Sequence, residues 1–209
     1  MADNYLERRE REIAERRPAT RRSGPSLDSL MKKNRSWRGY DTRHSVSESD
    51  LKQIAAAATL AASGMNRQRL RLRLVTGCDA ATVLQHVRMG AALKEEHLPH
   101  KGEEPGAFIV VCCTGEEDRI VDIDLGIAAE NMLLKATEMG LGGLFILNFD
   151  ADAIRRTLEL SLRPIAVIAI GKPAEKIFIV PVHAGADLNY YRKDGVHFVP
   201  KLAVEDLLI

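Results

Sequence analysis

The chain has 209 residues, 45% hydrophobic and 28% charged, with a formal net charge of +1. These values are typical of a soluble globular domain with a full core, and they exclude binding of a polyanion by bulk charge alone. The start of the chain lacks the apolar core of a secretory signal, and the longest apolar stretch is too short and alanine-rich to span a bilayer. We therefore expect a cytoplasmic protein that does not contact a membrane.

The first predicted element is a charged helix at residues 4–17, followed by a segment rich in proline and glycine. Residues 1–38 carry a net charge of +5, which leaves −4 for the remainder. We interpret residues 1–30 as a charged, solvated N-terminal arm and residues 31–209 as the folded domain. An arm that folds onto a partner subunit is the alternative. Acids are interleaved among the bases and aromatic residues are scarce, so no nucleic-acid partner is expected.

Helix and strand patterns alternate through the centre of the chain. Ser47 and Asp50 form a capping-box-like start for one helix, and strict alternation of apolar and polar residues predicts a strand at 70–75. The alternation of helices and strands along the chain indicates an α/β or α+β protein whose central sheet is covered on both sides. Helices are predicted at 45–63, 80–89 and 150–160, and the longest runs from Leu125 to a stop at Gly140. Further strands are predicted at 106–114, 143–148 and 163–173, and the segment after 189 shows no clean period.

Two motifs of the long predicted helix have structural interpretations. Asp122 and Asp124 are expected to precede the helix, where acids interact favourably with its dipole. Gly140 is the expected helix stop. The spacing of Gly140, Gly142 and Gly143 does not match a dinucleotide fingerprint, because this motif follows a helix and precedes a strand.

The cysteines and a histidine pair also favour structural roles. Cys78, Cys112 and Cys113 are odd in number and are interpreted as small core residues, which is typical of a reducing cytoplasm. His97 and His100 are predicted to lie in a surface loop, because no third metal ligand is near them. No metal site is therefore expected.

Three polar groups of residues are candidates for binding. Arg35, Ser36 and Arg38 offer two forked guanidinium donors and a hydroxyl, a combination that suits an anion. The turn between helix 45–63 and strand 70–75 carries hydroxyl and amide side chains that could recognise a ring with mixed donors and acceptors. The chain offers little acid–base machinery, which favours a binding protein or an enzyme whose cofactor does the chemistry. The turn residues are Ser63, Asn66 and Gln68, and further cations in the tail are Arg192, Lys193 and Lys201.

Taken in order, these segments resemble the nitroreductase family of FMN-dependent oxidoreductases. The resemblance is carried by "NRSWRGYDTRHSVSESDLKQIAAAATLAASGMNRQ", "DIDLGIAAENMLLKATEMGLGGLFI" and "IRRTLEL" with "RPIAVIAIGKP", and it extends from residue 34 to about residue 201. It implies an α+β fold with a mixed central sheet flanked by helices. It also implies an intertwined homodimer with two FMN sites, each lined by both chains.

The resemblance also assigns binding roles to individual residues. Arg35, Ser36 and Arg38 would hold the FMN phosphate and the polar end of the flavin, and Arg38 would also supply positive charge to the reduced flavin. The sequence departs from the family pattern at Asn34, where the family has an arginine, and at Arg69-Leu70, where it usually has Pro-Trp. The other implied flavin-contacting residues are Ser63, Asn66, Gln68, Leu147 and Asn148, with Lys201 and Arg192 completing the phosphate site.

The activity implied is transfer of electrons from NADH or NADPH, through flavin N5, to a small acceptor such as a nitroaromatic or a quinone, by a ping-pong mechanism. No side chain is assigned as a catalyst, because the chemistry occurs on the flavin. The alternative function is a non-redox FMN-binding or flavin-processing protein on the same fold.

Overall fold

The computed structural model describes residue 8, residues 24–90, residue 93 and residues 96–209. Most of the helix expected at 4–17 lies outside these residues. A four-stranded sheet is the centre of the fold, with the strand order β1-β2-β4-β3 and antiparallel pairing throughout. Its strands are β1 (Leu70–Thr76), β2 (Ala107–Cys113), β3 (Gly142–Ile146) and β4 (Arg163–Gly171).

The two inner strands are the ones whose sequences are apolar without interruption. All seven residues of β2 are buried, and in β4 only Arg163 is exposed. A strand with helices on both faces has no side chain directed to solvent, which explains why neither strand alternates. β1 lies at one edge and keeps its alternation, as predicted.

Helices cover both faces of this sheet. α2 (Glu48–Ala56) and α4 (Arg119–Glu138) pack on one face, while α3 (Gly77–Leu84) and α5 (Ala151–Thr157) pack on the other. A short first helix, α1 (Leu27–Lys33), packs against α4 and crosses the boundary expected between residues 30 and 31. The predicted α+β class is confirmed.

The helix starts follow local sequence signals. Ser47 and Asp50 form the predicted capping box of α2, and Asp150 caps α5 as expected. α2 ends at Ala56, earlier than predicted, and a 3-10 turn continues to Leu60. α3 begins at Gly77, before its predicted range of 80–89, and ends within that range at Leu84.

The start of α4 corrects one prediction. Its cap is Asp118, whose carboxylate accepts hydrogen bonds from the N–H groups of Ile120 and Val121. Asp122 and Asp124 therefore lie inside the helix and do not precede it. Asp122 is in the first turn, but Asp124 is buried and has a different role, described below.

The tail forms a second sheet that the sequence pattern did not reveal. β5 (Lys176–Val182), β7 (Val196–Leu202) and β6 (Tyr191–Lys193) lie in that order. β5 and β7 are parallel, so the parallel pairing expected of a mixed sheet occurs here, while the central four strands are antiparallel. β6 and β7 form a hairpin through Asp194-Gly195, both at positive φ, a dipeptide typical of tight hairpin turns.

The free cysteines occupy two environments. Cys112 and Cys113 are buried in β2 as expected. The prediction that Cys78 is a core residue was wrong, because it is exposed in the first turn of α3. No helix in the described part of the chain combines the length and apolarity needed to cross a bilayer.

Candidate functional site

A cavity of about 490 Å³ lies between the segment after α1, helix α4 and the second sheet; we call it the basic cavity. Three cationic side chains line it, and Glu130 is the one carboxylate among its described lining residues. Alternate residues of β7 face it, because side chains at i, i+2 and i+4 share one side of a strand. The lining consists of Met31, Asn34, Arg35, Ser36, Arg38, Glu130, Leu133, Phe145, Ile177, Tyr190, His197, Val199 and Lys201.

Two glycines of β3 let the segment carrying the two arginines lie against the sheet edge. Trp37 N–H donates to the carbonyl of Gly143 at 3.1 Å, and Ser36 pairs with Gly143 in a parallel bridge. A Cβ at Gly143 would stand 2.5 Å from the carbonyl oxygen of Ala169, and one at Gly142 would stand 2.4 Å from Trp37. The first glycine of the Gly-Leu-Gly-Gly run thus ends the helix, and its last two glycines leave room for the arginine segment to lie against the strand.

Arg38 is a buried cation without a carboxylate partner. Only 8% of the residue is exposed, and its Nη1 donates to the carbonyl of Ser36 at 2.9 Å. Its guanidinium lies 4.7 Å over the ring of Tyr190 and makes no ion pair among the described residues. Burial of an unpaired charge costs several kcal/mol, on the order of the loss of a buried pair, so this site favours an anionic ligand.

Arg35 lies beside it in the same cavity. Its guanidinium donates to the carbonyl of Met31, and its Nε is buried without a partner. Burial lowers the pKa of Arg35, and the nearby Glu130 carboxylate partly opposes this shift. Asn34 donates to Glu130 at 2.9 Å. Asn34 therefore binds the one acid of the cavity.

His197 is a cavity residue that no sequence pattern singled out. It is 1% exposed, and burial together with the charges of Arg38 and Arg192 lowers its pKa to about 4. Its Nδ1 accepts a hydrogen bond from Nε of Arg192 at 3.4 Å, and its ring stacks on Tyr190. At neutral pH the imidazole is uncharged and carries its proton on Nε2. The pairing of β7 with β5 and β6 creates this environment.

A second cavity of about 370 Å³ contains the predicted turn; we call it the turn cavity. The buried Asp124 accepts hydrogen bonds from Ser63 Oγ at 2.7 Å and from Gly64 N–H at 2.9 Å. Met65, Asn66 and Gln68 all have positive φ, a conformation rarely adopted by residues other than glycine. Asp124 thus fixes a strained turn that presents polar side chains. The lining residues include Ala55, Ala58, Ser63, Asn66, Gln68 and Arg71.

The structure brings the predicted site residues together in two groups. Arg35, Ser36, Arg38 and Lys201 share the basic cavity, whereas the turn residues line the turn cavity. The two cavities have no lining residue in common, although both are bounded by α4. The remaining predicted residues, Leu147, Asn148 and Arg192, line neither cavity, and the roles of all ten residues remain predictions.

Those last three residues have other neighbours. Leu147 is exposed just beyond β3, and the carbonyl of Asn148 accepts from the N–H of Arg88 at 2.9 Å. Arg192 pairs with Glu175 at 2.7 Å and with Glu96 at 3.3 Å. Within the residues that the structure describes, no group of three potential metal ligands occurs.

Comparisons with known proteins agree with this architecture. The sequence profile described as "Nitroreductase family" matches residues 31–172. A Methanothermobacter thermautotrophicus protein, provisionally named NADH dehydrogenase/NAD(P)H nitroreductase, is 28% identical over 155 residues, which are 69% of this chain and 76% of that protein. A provisionally named nitroreductase from Desulfovibrio desulfuricans, solved in complex with FMN, is 25% identical, with a TM-score of 0.59 over 73% of this chain and 89% of that one. An FMN-dependent nitroreductase from Clostridium difficile R20291, 24% identical, has a TM-score of 0.58 over 72% and 89%.

Proposed function

Because the chain belongs to the nitroreductase family, we propose that it is an FMN-dependent oxidoreductase. It takes electrons from NADH or NADPH and passes them to a small, electron-poor acceptor such as a nitroaromatic or a quinone. A single site used in turn by donor and acceptor predicts ping-pong kinetics. The cysteine content is consistent with the predicted cytoplasmic location.

The observation that carries the proposal is Arg38, a buried guanidinium without a carboxylate partner in the described chain, facing a cavity with two further cations. Arg35, Arg38 and Lys201 against Glu130 give the lining a net charge of +2. A phosphate monoester carries about −1.5 to −2 at neutral pH, so the charges are complementary. The cavity volume of about 490 Å³ also lies within the range typical of cofactor sites.

Bound FMN would supply the hydride and electron transfer, and the residues of this chain would bind and orient it. Arg35, Arg38 and Lys201 would hold the phosphate, with Ser36 Oγ as a short neutral donor. The turn residues would face the ring with both donors and acceptors. Of the described residues that line the turn cavity, only Arg71 and Asp124 are ionisable, so substrate choice beside the ring would depend on shape and access.

We further propose that the complete site forms between two copies of the chain. In one chain the basic cavity and the turn cavity are separate, so a second copy could bring its turn beside the first copy's basic cavity. Exposed apolar side chains of a kind that usually marks an interface lie in the turn, just before it and on α4. These are Leu60, Met65, Ile123 and Ile127.

The test is the visible spectrum of the purified protein, with and without added FMN, followed by anaerobic titration with NADPH and then NADH. A flavin spectrum that bleaches on either addition, and recovers with a quinone, is the expected result. A flavin spectrum that only dithionite bleaches would favour the non-redox flavin-binding alternative. A protein that stays colourless with excess FMN would contradict the proposal.

A further inference from the structure

A column of four side chains leads from the wall of the basic cavity into the second sheet. The guanidinium of Arg38 lies 4.7 Å over the ring of Tyr190. The Tyr190 ring stacks on the His197 ring, with centroids 5.2 Å apart and planes inclined by 23°. Arg192 Nε then donates to His197 Nδ1 at 3.4 Å. The family match ends at residue 172, so three of the four members lie beyond it.

Glu175 closes this column into a ring of contacts. One carboxylate oxygen, Oε2, accepts from Arg192 at 2.7 Å. The other, Oε1, accepts from the backbone N–H groups of Arg38 and Gly39. The tail therefore fixes Arg38 twice, at its backbone through Glu175 and at its guanidinium through Tyr190.

The charges of the column are distributed unequally. Arg192 is compensated by two carboxylates, those of Glu175 and Glu96. His197, between the two guanidiniums, is neutral because burial and both cations lower its pKa. Arg38 has no carboxylate within ion-pair distance among the described residues. The column thus presents one uncompensated cation, and this cation faces the cavity.

We propose that Tyr190, supported from behind by His197, is a positioning residue that holds the guanidinium of Arg38 against the phosphate of the bound flavin. This inference rests on the proposed FMN site. The negative face of an aromatic ring attracts a cation and restricts it to one position, and that attraction is worth on the order of tenfold in an equilibrium constant. Without the ring, Arg38 would lose the orientation that its charge-assisted hydrogen bonds require. FMN would then bind more weakly, whereas a flavin without a phosphate would be little affected.

The experiment compares dissociation constants for FMN and riboflavin, measured by quenching of flavin fluorescence. Riboflavin lacks the phosphate, so the ratio of the two constants isolates the phosphate contact. We expect Tyr190→Leu to weaken FMN by about tenfold and riboflavin by less than about twofold. Tyr190→Phe, the matched control that keeps the ring, should stay within about threefold of the wild type for both ligands.

A double-mutant cycle separates positioning from a general packing role. In an Arg38→Gln background, Tyr190→Leu should cause no further change in the FMN to riboflavin ratio, because there is no guanidinium left to position. If Tyr190→Leu weakens FMN and riboflavin equally, the inference is overturned. It is also overturned if Tyr190→Leu changes the ratio of the two dissociation constants as much in the Arg38→Gln background as in the wild type.

Two outcomes need a separate design. If Tyr190→Leu does not fold, the comparison is made between phenylalanine and ring-fluorinated phenylalanine at position 190. The two side chains have nearly the same shape, but fluorination weakens the negative ring face. A lower FMN affinity in the fluorinated protein supports the inference, and equal affinities overturn it. A wild type that binds no FMN would contradict the proposed function itself, which distinguishes the two failures.

Discussion

Ser63 and Asp124 form a 2.7 Å hydrogen bond that connects the polar turn to the second turn of α4. The same hydroxyl accepts from the N–H of Gln68 at 2.9 Å, and the other carboxylate oxygen of Asp124 accepts from the N–H of Gly64. Asp124 therefore holds the start of the turn, and the Ser63 hydroxyl holds its end, across three non-glycine residues at positive φ. Its conformation depends on Asp124 more than on local propensity.

Asp124→Asn should destabilise the protein. The amide group replaces one of the two acceptor oxygens, so either the Ser63 hydroxyl or the Gly64 N–H loses its acceptor, at a cost of about 1–3 kcal/mol. Urea denaturation measures the free energy of unfolding. Asp122→Asn, in the same helix but exposed, is the matched control and should change stability by less than about 0.5 kcal/mol. Equal effects of the two substitutions would show that Asp124 does not hold the turn.

Gly143→Ala should disrupt the docking of residues 35–38. The new Cβ would stand 2.5 Å from a backbone oxygen and 2.7 Å from Leu133 Cδ2, so the strand edge must move. We expect a loss of about 1–3 kcal/mol in stability and a weaker FMN affinity, since the arginine segment rests on this edge. The measurements are thermal unfolding and flavin titration.

Gly126→Ala is the control for that substitution. Gly126 lies within α4 with open space around its Cα, and alanine has the higher helix propensity by about 0.5–1 kcal/mol. It should therefore raise stability and leave FMN binding unchanged. A Gly143→Ala protein as stable as the wild type would contradict the close approach of Trp37 and β3.

Protonation of His197 should make stability depend on pH in a specific window. Its pKa is lowered from 6.5 to about 4 in the folded protein, so between these values the unfolded chain binds the extra proton. The contribution of neutral His197 to the free energy of unfolding is fully present above about pH 6.5. It is lost as the pH falls towards 4, and it amounts to about 3 kcal/mol at most. The paired carboxylates Asp41 and Asp118, whose pKa values lie below the ordinary 3.8, affect stability only at lower pH.

Urea denaturation between pH 4.5 and 7.5 measures this dependence. His197→Phe should flatten the curve across the window, even if its absolute stability is lower because Arg192 loses its acceptor. His97→Gln, an exposed histidine outside both cavities, should leave the slope as in the wild type. An unchanged slope in His197→Phe would assign the acid sensitivity to other groups.

Charges on the exposed face of α4 should prevent formation of a shared site. Ile123→Glu combined with Ile127→Glu places two carboxylates among the exposed apolar residues proposed to meet a second copy. We expect a monomer in sedimentation experiments, with FMN affinity reduced at least about tenfold, since each site would lose the turn of the other chain. Lys135→Glu, farther along the same helix, should alter neither property. A dimer that persists with normal flavin affinity would locate the interface elsewhere.

The sequence predicted the parts of the fold that are encoded locally. The uninterrupted apolar runs of β2 and β4, the capping box at Ser47 and the stop at Gly140 each act within a few residues, and all four were predicted correctly. The second sheet was missed because its strands are half exposed, and β6 has only three residues. Its clearest signal was the Asp194-Gly195 turn, flanked by strand-forming residues.

The candidate site was predictable only in part, for a related reason. Arg35, Ser36 and Arg38 form a recognisable cluster because they are neighbours in sequence. Tyr190 and His197 join them only through the register of β5, β6 and β7, which no local pattern specifies. The separation of the turn from the basic cavity likewise depends on how α4 spaces them, and this is a tertiary property.

The order in which the walls of the basic cavity leave the ribosome has a consequence for cofactor acquisition. Its first wall, at residues 34–38, is synthesised early, whereas its opposite wall, at residues 177–201, is synthesised after the whole central sheet. A nascent chain would therefore carry the two arginines for most of its synthesis without a pocket around them. Flavin capture would be one of the last events in biogenesis, and the presence of the cofactor would report that the tail had folded.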